Sequence, residues 1–524
     1  MFRISQSVRT VVGAQKANVS LRLRSTQSAT ALADASGAAS DLEWENAQPY
    51  TKIPGPEPLP VIGNIYRFLP MGEFYKLDTT ELFKSLHKTY GPVVKLAGFL
   101  GKPDVVTVFD ADEVARVFRN EGPWPFRRGA DSLDYYYRNL RTDYPPSLVV
   151  VQGKEWQEFR TAVNQVMMQP RNTKQYVEPI DRVSQEFVDR MKAVRNDKLE
   201  MPPDFFHEIA KWALESITFV ALDAELGLLK NLEPNSEASK MIQAVHVVFD
   251  SMYQLDFKPS PWKFVSTPAY RRFVTAMNFV TGVSAKYVNL AMERLKQLPP
   301  NEERNFSVLE NLLIRTEDPQ RAVTMALDML LAGIDTTGTV VATVMYQLAT
   351  NPDKQQKLHE ELDRVIPDPS KPLTKQQLED MRYLRACIKE SMRVMPILVG
   401  NARTTIRDLV IGGYQVPKGT LVSMSTREMT SNEAYFPRAL EFLPERWLPG
   451  ADDIKGTHPF AFLPFGFGPR MCVGRRFADL EIETVVAKVF RNFSMEWNRP
   501  PAKATFRILF SFTDPLAFTV KDRV

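Results

Sequence analysis

The chain has 524 residues, of which 44% are hydrophobic and 24% are charged, an ordinary balance for a globular protein with a large core. Its two cysteines, Cys387 and Cys472, exclude a disulfide framework, and its five histidines show no zinc-ligand spacing. The formal net charge of +4 is too small to indicate nucleic-acid binding.

The first 33 residues are basic, rich in serine and free of acidic residues, which is typical of a mitochondrial transit peptide. Removing their five basic residues from the 66 Lys and Arg leaves 61 against 62 Asp and Glu, so the remainder is nearly neutral. We predict that residues 1–45 are a transit peptide with its linker and that residues 46–524 form one domain. A merely disordered N-terminus is the alternative. The leader has no apolar run long enough for a transmembrane anchor.

A proline-rich segment, residues 53–64, predicts an extended entry into the domain. Helical periodicity dominates the chain after this segment. The apolar stretch 326–348 is interrupted by acidic residues and threonines, which favours a core helix over a membrane span.

Asn351 before Pro352 predicts the start of another helix, and a further helix is predicted over 375–395, ended by Pro396. Strand-like runs are found at 409–416 and 421–425. The predicted fold class is therefore mainly α with a minor β component.

The segment FGFGPRMCVGRRFADLEIE, residues 465–483, reads as a glycine-bearing loop that leads into a helix. Cys472 then lies at a helix N-terminus, where free N–H groups favour a thiolate over a thiol. A free cysteine is more often a small buried hydrophobic residue, and that interpretation is kept for Cys387 in LRACIKE.

Five residues of this loop match the pattern F-x-x-G-x-R-x-C-x-G at every fixed position: Phe465, Gly468, Arg470, Cys472 and Gly474. The pattern resembles the haem-binding signature of the cytochrome P-450 superfamily. The resemblance implies a cytochrome P-450 fold with the haem between a long central helix and the cysteine loop. It also implies that Cys472 binds the iron of haem b in an oxygen-activating monooxygenase.

The family also carries an E-x-x-R pair on an upstream helix, which KESMR supplies as Glu390 and Arg393, and a later arginine, Arg446 in FLPERW. Alone, such a pair has little meaning, because most charged pairs on helices are solvated. The resemblance implies that these three residues form a buried, structural ion network that holds the cysteine loop.

The family's oxygen-activation motif A-G-x-D-T-T is matched by residues 332–337. Proton delivery to dioxygen needs a hydroxyl near the reacting atoms and a carboxyl leading to solvent, and Thr336 and Asp335 supply them. Gly333 and Gly338 predict a local opening of the helix near Thr336. The alternative is that these polar side chains bond back to the preceding turn.

By the same resemblance, the haem propionates are bound by an indole donor and by arginine forks, with one histidine as a weaker candidate. These residues are Trp156, Arg160, Arg403, Arg470 and His458.

No flavin or iron–sulfur motif is visible, so electrons are expected from a separate donor. Arg385 and Lys389, four residues apart on a helix, match the basic pair with which mitochondrial family members dock ferredoxin. A solvated charge pair is the alternative. The tandem Arg475–Arg476 is also typical of the mitochondrial class.

The segments around 397–402 and 508–513 are apolar and indicate a lipophilic substrate. Residues 259–273 mix aromatic and basic side chains, so we expect peripheral contact with the matrix side of the inner mitochondrial membrane. The chain most resembles mitochondrial family members from insects, which hydroxylate steroids or metabolise xenobiotics. Nothing in the sequence separates these two roles.

Two other functions remain open. A haem-thiolate isomerase or dehydratase would need no acid–alcohol pair, and a non-catalytic haem sensor would need neither that pair nor a docking surface. The predicted Asp335–Thr336 pair therefore favours the monooxygenase.

Overall fold

The computed structural model describes residues 41–98, 103–230, 236–258, 260–297, 306–316 and 318–523. Most of the predicted transit peptide and linker therefore lies outside the described residues. Helix α1 (Asp41–Asn46) is attached to the body. Arg116 binds Glu43 at 2.8 Å, and Gln415 donates a hydrogen bond to the carbonyl of Trp44. The predicted boundary after residue 45 thus falls inside a helix that packs on the domain.

Helices make up most of the described chain. After α1, the α-helices are α2 (Thr79–Tyr90), α3 (Ala111–Arg119), α4 (Asp131–Tyr135), α5 (Gly153–Met167), α6 (Pro170–Lys174), α7 (Val177–Val194), α8 (Phe205–Ala221), α9 (Glu237–Met252), α10 (Pro268–Gln297), α11 (Val308–Thr316), α12 (Pro319–Thr350), α13 (Pro352–Val365), α14 (Lys375–Asp380), α15 (Arg382–Val394), α16 (Thr426–Thr430) and α17 (Arg475–Asn492). Short 3₁₀ turns occupy Tyr50–Lys52, Ile65–Phe68 and Pro444–Trp447, and π-helical turns extend α4 over Tyr136–Leu140 and α9 over Tyr253–Phe257.

The strands are short: β1 (Val93–Leu96), β2 (Val105–Val108), β3 (Gly400–Thr404), β4 (Leu409–Ile411), β5 (Tyr414–Val416), β6 (Leu421–Ser425), β7 (Phe493–Glu496), β8 (Ala504–Phe506), β9 (Phe510–Phe512) and β10 (Thr519–Asp522). One sheet has the order β1-β2-β6-β3, in which only β2 and β6 run parallel. The pairs β4–β5, β7–β10 and β8–β9 are antiparallel. The predicted class, mainly α with a minor β component, is confirmed.

Helix α12 is the centre of the core. It packs against α8, α10, α11, α15 and α17, and 78% of its most apolar window is buried inside the protein. A helix that is apolar on nearly all sides needs such surroundings. Asp318 caps its first turn by accepting a hydrogen bond from the amide of Gln320, and Pro319 follows at the first helical position. The prediction of a core helix is confirmed.

The helix predicted over 375–395 is two helices, α14 and α15, so that prediction was wrong. The helical conformation is interrupted at the buried Met381, whose φ and ψ are −81° and 75°. The carboxylate of Glu361 on α13 accepts hydrogen bonds from the amides of Tyr383 and Leu384 at 2.8 and 2.9 Å. A side chain from a different helix therefore caps α15, and no local signal marks the break.

The other element predictions agree with the structure. The run 409–416 is the β4–β5 hairpin, with Gly412 and Gly413 at φ 58° and 81° in its turn. The run 421–425 is β6. Helix α13 begins at Pro352, although the side chain of Asn351 bonds back to the carbonyl of Gln347 instead of capping α13.

Candidate cofactor and catalytic site

The cysteine loop is a tight turn that presents Cys472 at the start of α17. Gly466 and Gly468 both have φ of 72°, and the amide of Cys472 donates to the carbonyl of Phe465 at 2.9 Å. A Cβ on Gly468 would lie 2.1 Å from a carboxylate oxygen of Glu121, so both the conformation and the space at this position require glycine. Gly474 is the N-cap residue of α17, so Cys472 lies at a helix N-terminus, as the sequence predicts.

The Cys472 side chain is accessible to solvent-sized molecules, yet protein surrounds it on almost every side. The thiol is therefore accessible although protein packs around it. Burial raises the pKa of the Cys472 thiol, while the amides of Gly474 and Arg475 and the charge of Arg160 act in the opposite direction. The helix N-terminus alone therefore does not outweigh the effect of burial on this thiol. A metal ion that takes the place of the proton would do so.

The predicted oxygen-activation motif forms the accessible stretch of α12. Between Ala322 and Ala349 every residue is buried except Ala332, Gly333, Asp335 and Thr336. The helix is continuous at this point, so the predicted local opening is not seen. The Thr336 hydroxyl instead donates a hydrogen bond to the carbonyl of Ala332 in the preceding turn.

Four arginines, which we call the arginine cluster, converge beside the cysteine loop: Arg127, Arg160, Arg403 and Arg470. Burial together with the charges of the other three lowers the pKa of Arg470 to about 9. Burial and the charges of Arg403 and Arg160 lower the pKa of Arg127 to about 10. Glu121, which pairs with Arg403 at 2.5 Å, is the acidic residue in contact with the cluster. Positive charge is therefore concentrated at this point.

The cluster is anchored to the cysteine loop and to the segment before α5. Arg160 donates to the carbonyl of Met471 at 2.7 Å. Arg470 donates to the carbonyls of Pro125 and Val151, both at 2.8 Å, and its guanidinium stacks over the ring of Trp156 at 4.4 Å. The structure thus brings together four of the five predicted propionate-binding residues.

The fifth, His458, lies elsewhere. Its Nε2 is 3.3 Å from a carboxylate oxygen of Asp112, and its Nδ1 accepts a hydrogen bond from the amide of Phe460. Both ring nitrogens are therefore engaged at the start of α3. Among the predicted ligands of the cofactor, His458 has the least geometric support.

The residues present fit a haem. Arg160 Nε and Arg470 Nη1 are buried and have no hydrogen-bond partner within the described residues, so the cluster has unused donors directed into the protein. Two propionates would supply acceptors and negative charge for them. Cys472 would supply the thiolate ligand of the iron. It lies just before α17, and α17 packs against α12, the helix that carries the accessible stretch with Asp335 and Thr336.

The predicted structural residues form a compact ion network of Glu390, Arg393 and Arg446, none of which has an exposed side chain. Arg393 binds both carboxylate oxygens of Glu390, at 2.9 and 2.8 Å, and Arg446 binds one of them at 3.0 Å. Trp447 and the amide of Leu443 also donate to Glu390. The remaining guanidinium donors bind backbone carbonyls, those of Thr430, Ala439, Glu441, Pro437 and Arg438.

The predicted docking pair lies on α15, but its two members differ. Arg385 donates to the carbonyls of Leu378 and Glu379 in the last turn of α14 and lies 3.8 Å from Glu483. Lys389 is exposed. The lysine is the more available of the two for a partner.

Three residues at the site were not predicted from the sequence. Arg127 and Glu121 belong to the arginine cluster and its counter-charge, and His246 contacts Asp335 at 3.1 Å. The sequence offered only the adjacent arginines in PFRRG as a signal for Arg127. Glu121 and His246 lie in stretches without a recognisable motif.

A helical fold with a cysteine loop, a buried cluster of cations and an acid–alcohol pair defines a haem-thiolate protein. The family model described as "Cytochrome P450" matches residues 53–515. The chain is 40% identical to "Probable cytochrome P450 301a1, mitochondrial" of Drosophila melanogaster, over 98% of this chain and 96% of that protein. It is 39% identical to "Cytochrome P450 CYP12A2" of Musca domestica, over 92% and 93% of the two chains.

The chain therefore belongs to the cytochrome P450 family. It is a cytochrome P450 monooxygenase, and its cofactor is haem b, bound through a cysteine thiolate. The resemblance stated from the sequence is confirmed.

Proposed function

We propose that this monooxygenase hydroxylates a lipophilic substrate, a steroid or a xenobiotic, in the mitochondrion, with electrons from a ferredoxin and its NADPH-dependent reductase. The observation that carries the proposal is the accessible acid–alcohol pair, Asp335 and Thr336, on an otherwise buried helix. A haem carrier or sensor has no use for such a pair, and an isomerase or dehydratase needs no external protons.

In the proposed reaction, O₂, a C–H bond, two electrons and two protons give an alcohol and one water. When bound, haem with an axial thiolate supplies the electron density that favours cleavage of the O–O bond. Cys472 holds the iron, and Trp156, Arg160, Arg403 and Arg470 hold the propionates, with Arg127 added to this set. Asp335 and Thr336 move the protons. His458 remains a predicted ligand of the cofactor.

Two apolar segments support a lipophilic substrate. The amide of Phe510 donates to the carbonyl of Ile397 at 2.8 Å, which joins the segments into one wall. Leu398 and Leu509, which flank this contact, are exposed and half-buried respectively. Apolar side chains near a binding space favour apolar ligands.

The matrix side of the inner membrane is the proposed location. Several relatives are named mitochondrial, and the leader has transit-peptide composition. Phe264 and Val265, within the predicted membrane segment, are 93% and 60% exposed, and Lys263 lies beside them. Exposed apolar side chains flanked by cations suit the surface of a bilayer.

The absorption spectrum of the reduced, CO-bound protein tests the thiolate. We expect a strongly red-shifted Soret band that Cys472→Ala abolishes. Its absence from well-folded wild-type holoprotein would contradict the assignment of Cys472.

Thr336→Ala should keep the band and release reducing equivalents as hydrogen peroxide, and full coupled turnover of Thr336→Ala would contradict the relay. Ferredoxin should support turnover where a microsomal diflavin reductase does not.

A further inference from the structure

Asp335 has a partner on the neighbouring helix α9. His246 Nε2 lies 3.1 Å from Asp335 Oδ1, and the side chains of the acid and the histidine are 13% and 40% exposed. The pair therefore joins a nearly buried carboxyl to a half-buried imidazole that keeps an accessible side. Oδ1 is buried and has no well-aligned hydrogen bond within the described residues, so the contact with His246 is electrostatic and no other donor competes for this oxygen.

The carboxylate controls the charge of this histidine. Burial by itself lowers the pKa of His246, but the contact with Asp335 and its negative charge outweigh burial, and the pKa of His246 is raised above its ordinary value. The imidazolium therefore persists to higher pH than in the unfolded chain. It is fully present below the ordinary histidine range and is lost as the pH rises through the raised value.

No second group competes for His246 among the described residues. His207 on α8 is close enough for its pKa to be affected by the charge of His246, but burial and Lys211 lower the pKa of His207, so this ring gains a proton less readily than an ordinary histidine. Several other charged groups on α9 and on the elements packed against it have partners of their own: Glu208 with Arg190 and Lys211, Lys286 with Glu237, Asp250 with Arg507, and Asp256 with Ser132.

We propose that His246 is a positioning residue for proton delivery, which holds the Asp335 carboxyl in place and supplies it with protons from solvent. This inference rests on the proposed monooxygenase function. The imidazolium gives its Nε2 proton to Asp335 and regains one from water at its exposed edge. Asp335 passes the proton on toward Thr336. Each turnover consumes two such protons with the two electrons of the ferredoxin.

Histidine suits this position better than another cation would. Lysine or arginine could neutralise Asp335, but neither releases a proton readily near neutral pH. Imidazole exchanges its proton in this range, and the raised pKa keeps a proton available for transfer. The identity of this side chain, and not only its charge, should therefore matter.

The test compares His246→Gln with His207→Gln, a matched control on α8 that does not contact Asp335. Holoenzyme reconstituted with ferredoxin, its reductase and NADPH is followed by oxygen consumption, with 7-ethoxycoumarin as the lipophilic probe. Wild type and His207→Gln should slow as the pH rises above the ordinary histidine range. His246→Gln should be about tenfold slower, below the effect expected for a directly acting general acid, and should lose this pH dependence.

His246→Lys separates charge from proton transfer. It keeps a cation beside Asp335, and we expect it to be as slow as His246→Gln, with a larger solvent deuterium isotope effect than wild type. Restoration of the wild-type rate by lysine would overturn the inference, because charge alone would then suffice. A wild-type rate and pH profile in His246→Gln would overturn it as well.

A second measurement does not depend on turnover. Diethyl pyrocarbonate modifies only neutral imidazole, so the modification rate of His246, followed by mass spectrometry of its peptide, reports the charge of the ring. Asp335→Asn should make this reaction at pH 6.5 several-fold faster, and equal rates would overturn the pairing. Wild-type holoenzyme that consumed no oxygen with ferredoxin would instead contradict the proposed function and the relay built on it.

Discussion

Two groups of largely buried arginines, the ion network and the arginine cluster, are partnered in opposite ways. In the ion network, Glu390 is shared by Arg393 and Arg446, and the remaining guanidinium donors bind backbone carbonyls. In the arginine cluster, two buried donor nitrogens have no partner among the described residues, and the pKa values of Arg127 and Arg470 are lowered. A complete network stabilises a fold by itself, whereas an incomplete one marks a place where a ligand supplies what is missing.

The comparison predicts its largest effect in the ion network. Glu390→Gln keeps the shape of the side chain but leaves two fully buried guanidinium groups without a counter-charge. We expect the free energy of unfolding to fall by about 3–5 kcal/mol or more, the range for breaking a buried ion pair by removing one partner. Urea denaturation followed by circular dichroism measures this change. A loss below about 1 kcal/mol would show that the network contributes little to stability.

A substitution in the arginine cluster should weaken the binding of haem and leave the stability of the fold unchanged. Arg127→Met removes a half-buried cation whose side chain makes one long hydrogen bond, 3.4 Å to the carbonyl of Val149. Haem should leave this variant about tenfold faster, equivalent to about 1.4 kcal/mol. Without the cofactor, its stability should be unchanged or slightly increased, because charge repulsion is relieved. Transfer of haem to apomyoglobin measures the first effect and urea denaturation the second. Destabilisation as large as in Glu390→Gln would remove the distinction between the two groups.

The residues that the sequence predicts differ from those that it misses in standing within motifs. Glu390, Arg393, Arg446, Arg470 and Cys472 stand in motifs with fixed spacing, and the structure places the first three in the ion network and the last two in the cysteine loop. Arg127 and His246 reach the site from segments without such a motif. Their roles depend on how α9 and the segment between α3 and α4 pack against the rest, and spacing along the chain does not encode that packing.

The break at Met381 has the same cause. The periodicity of 375–395 is helical throughout, and no glycine or proline interrupts it. The cap at the start of α15 is a carboxylate, Glu361, from another helix. Local propensity predicts the helical state of these residues correctly but cannot place a boundary that a tertiary contact imposes.

The smallest predicted effect concerns the exposed charges, where the two members of the docking pair can be separated. Lys389→Gln should raise the KM for ferredoxin by about threefold to tenfold, with a weaker dependence on salt, because an exposed charge acts mainly on association. Folding stability should not change. Arg385→Gln should instead destabilise the protein, because Arg385 satisfies carbonyls at the end of α14.

Steady-state turnover at two ionic strengths and thermal denaturation of both variants measure these effects. The matched pair makes the result informative, since both substitutions remove one positive charge from the same helix. If Arg385→Gln weakened ferredoxin binding as much as Lys389→Gln and left stability unchanged, the pair would dock the partner together, as the sequence predicts. If neither variant altered the KM for ferredoxin, the solvated charge pair would be the correct interpretation of both residues.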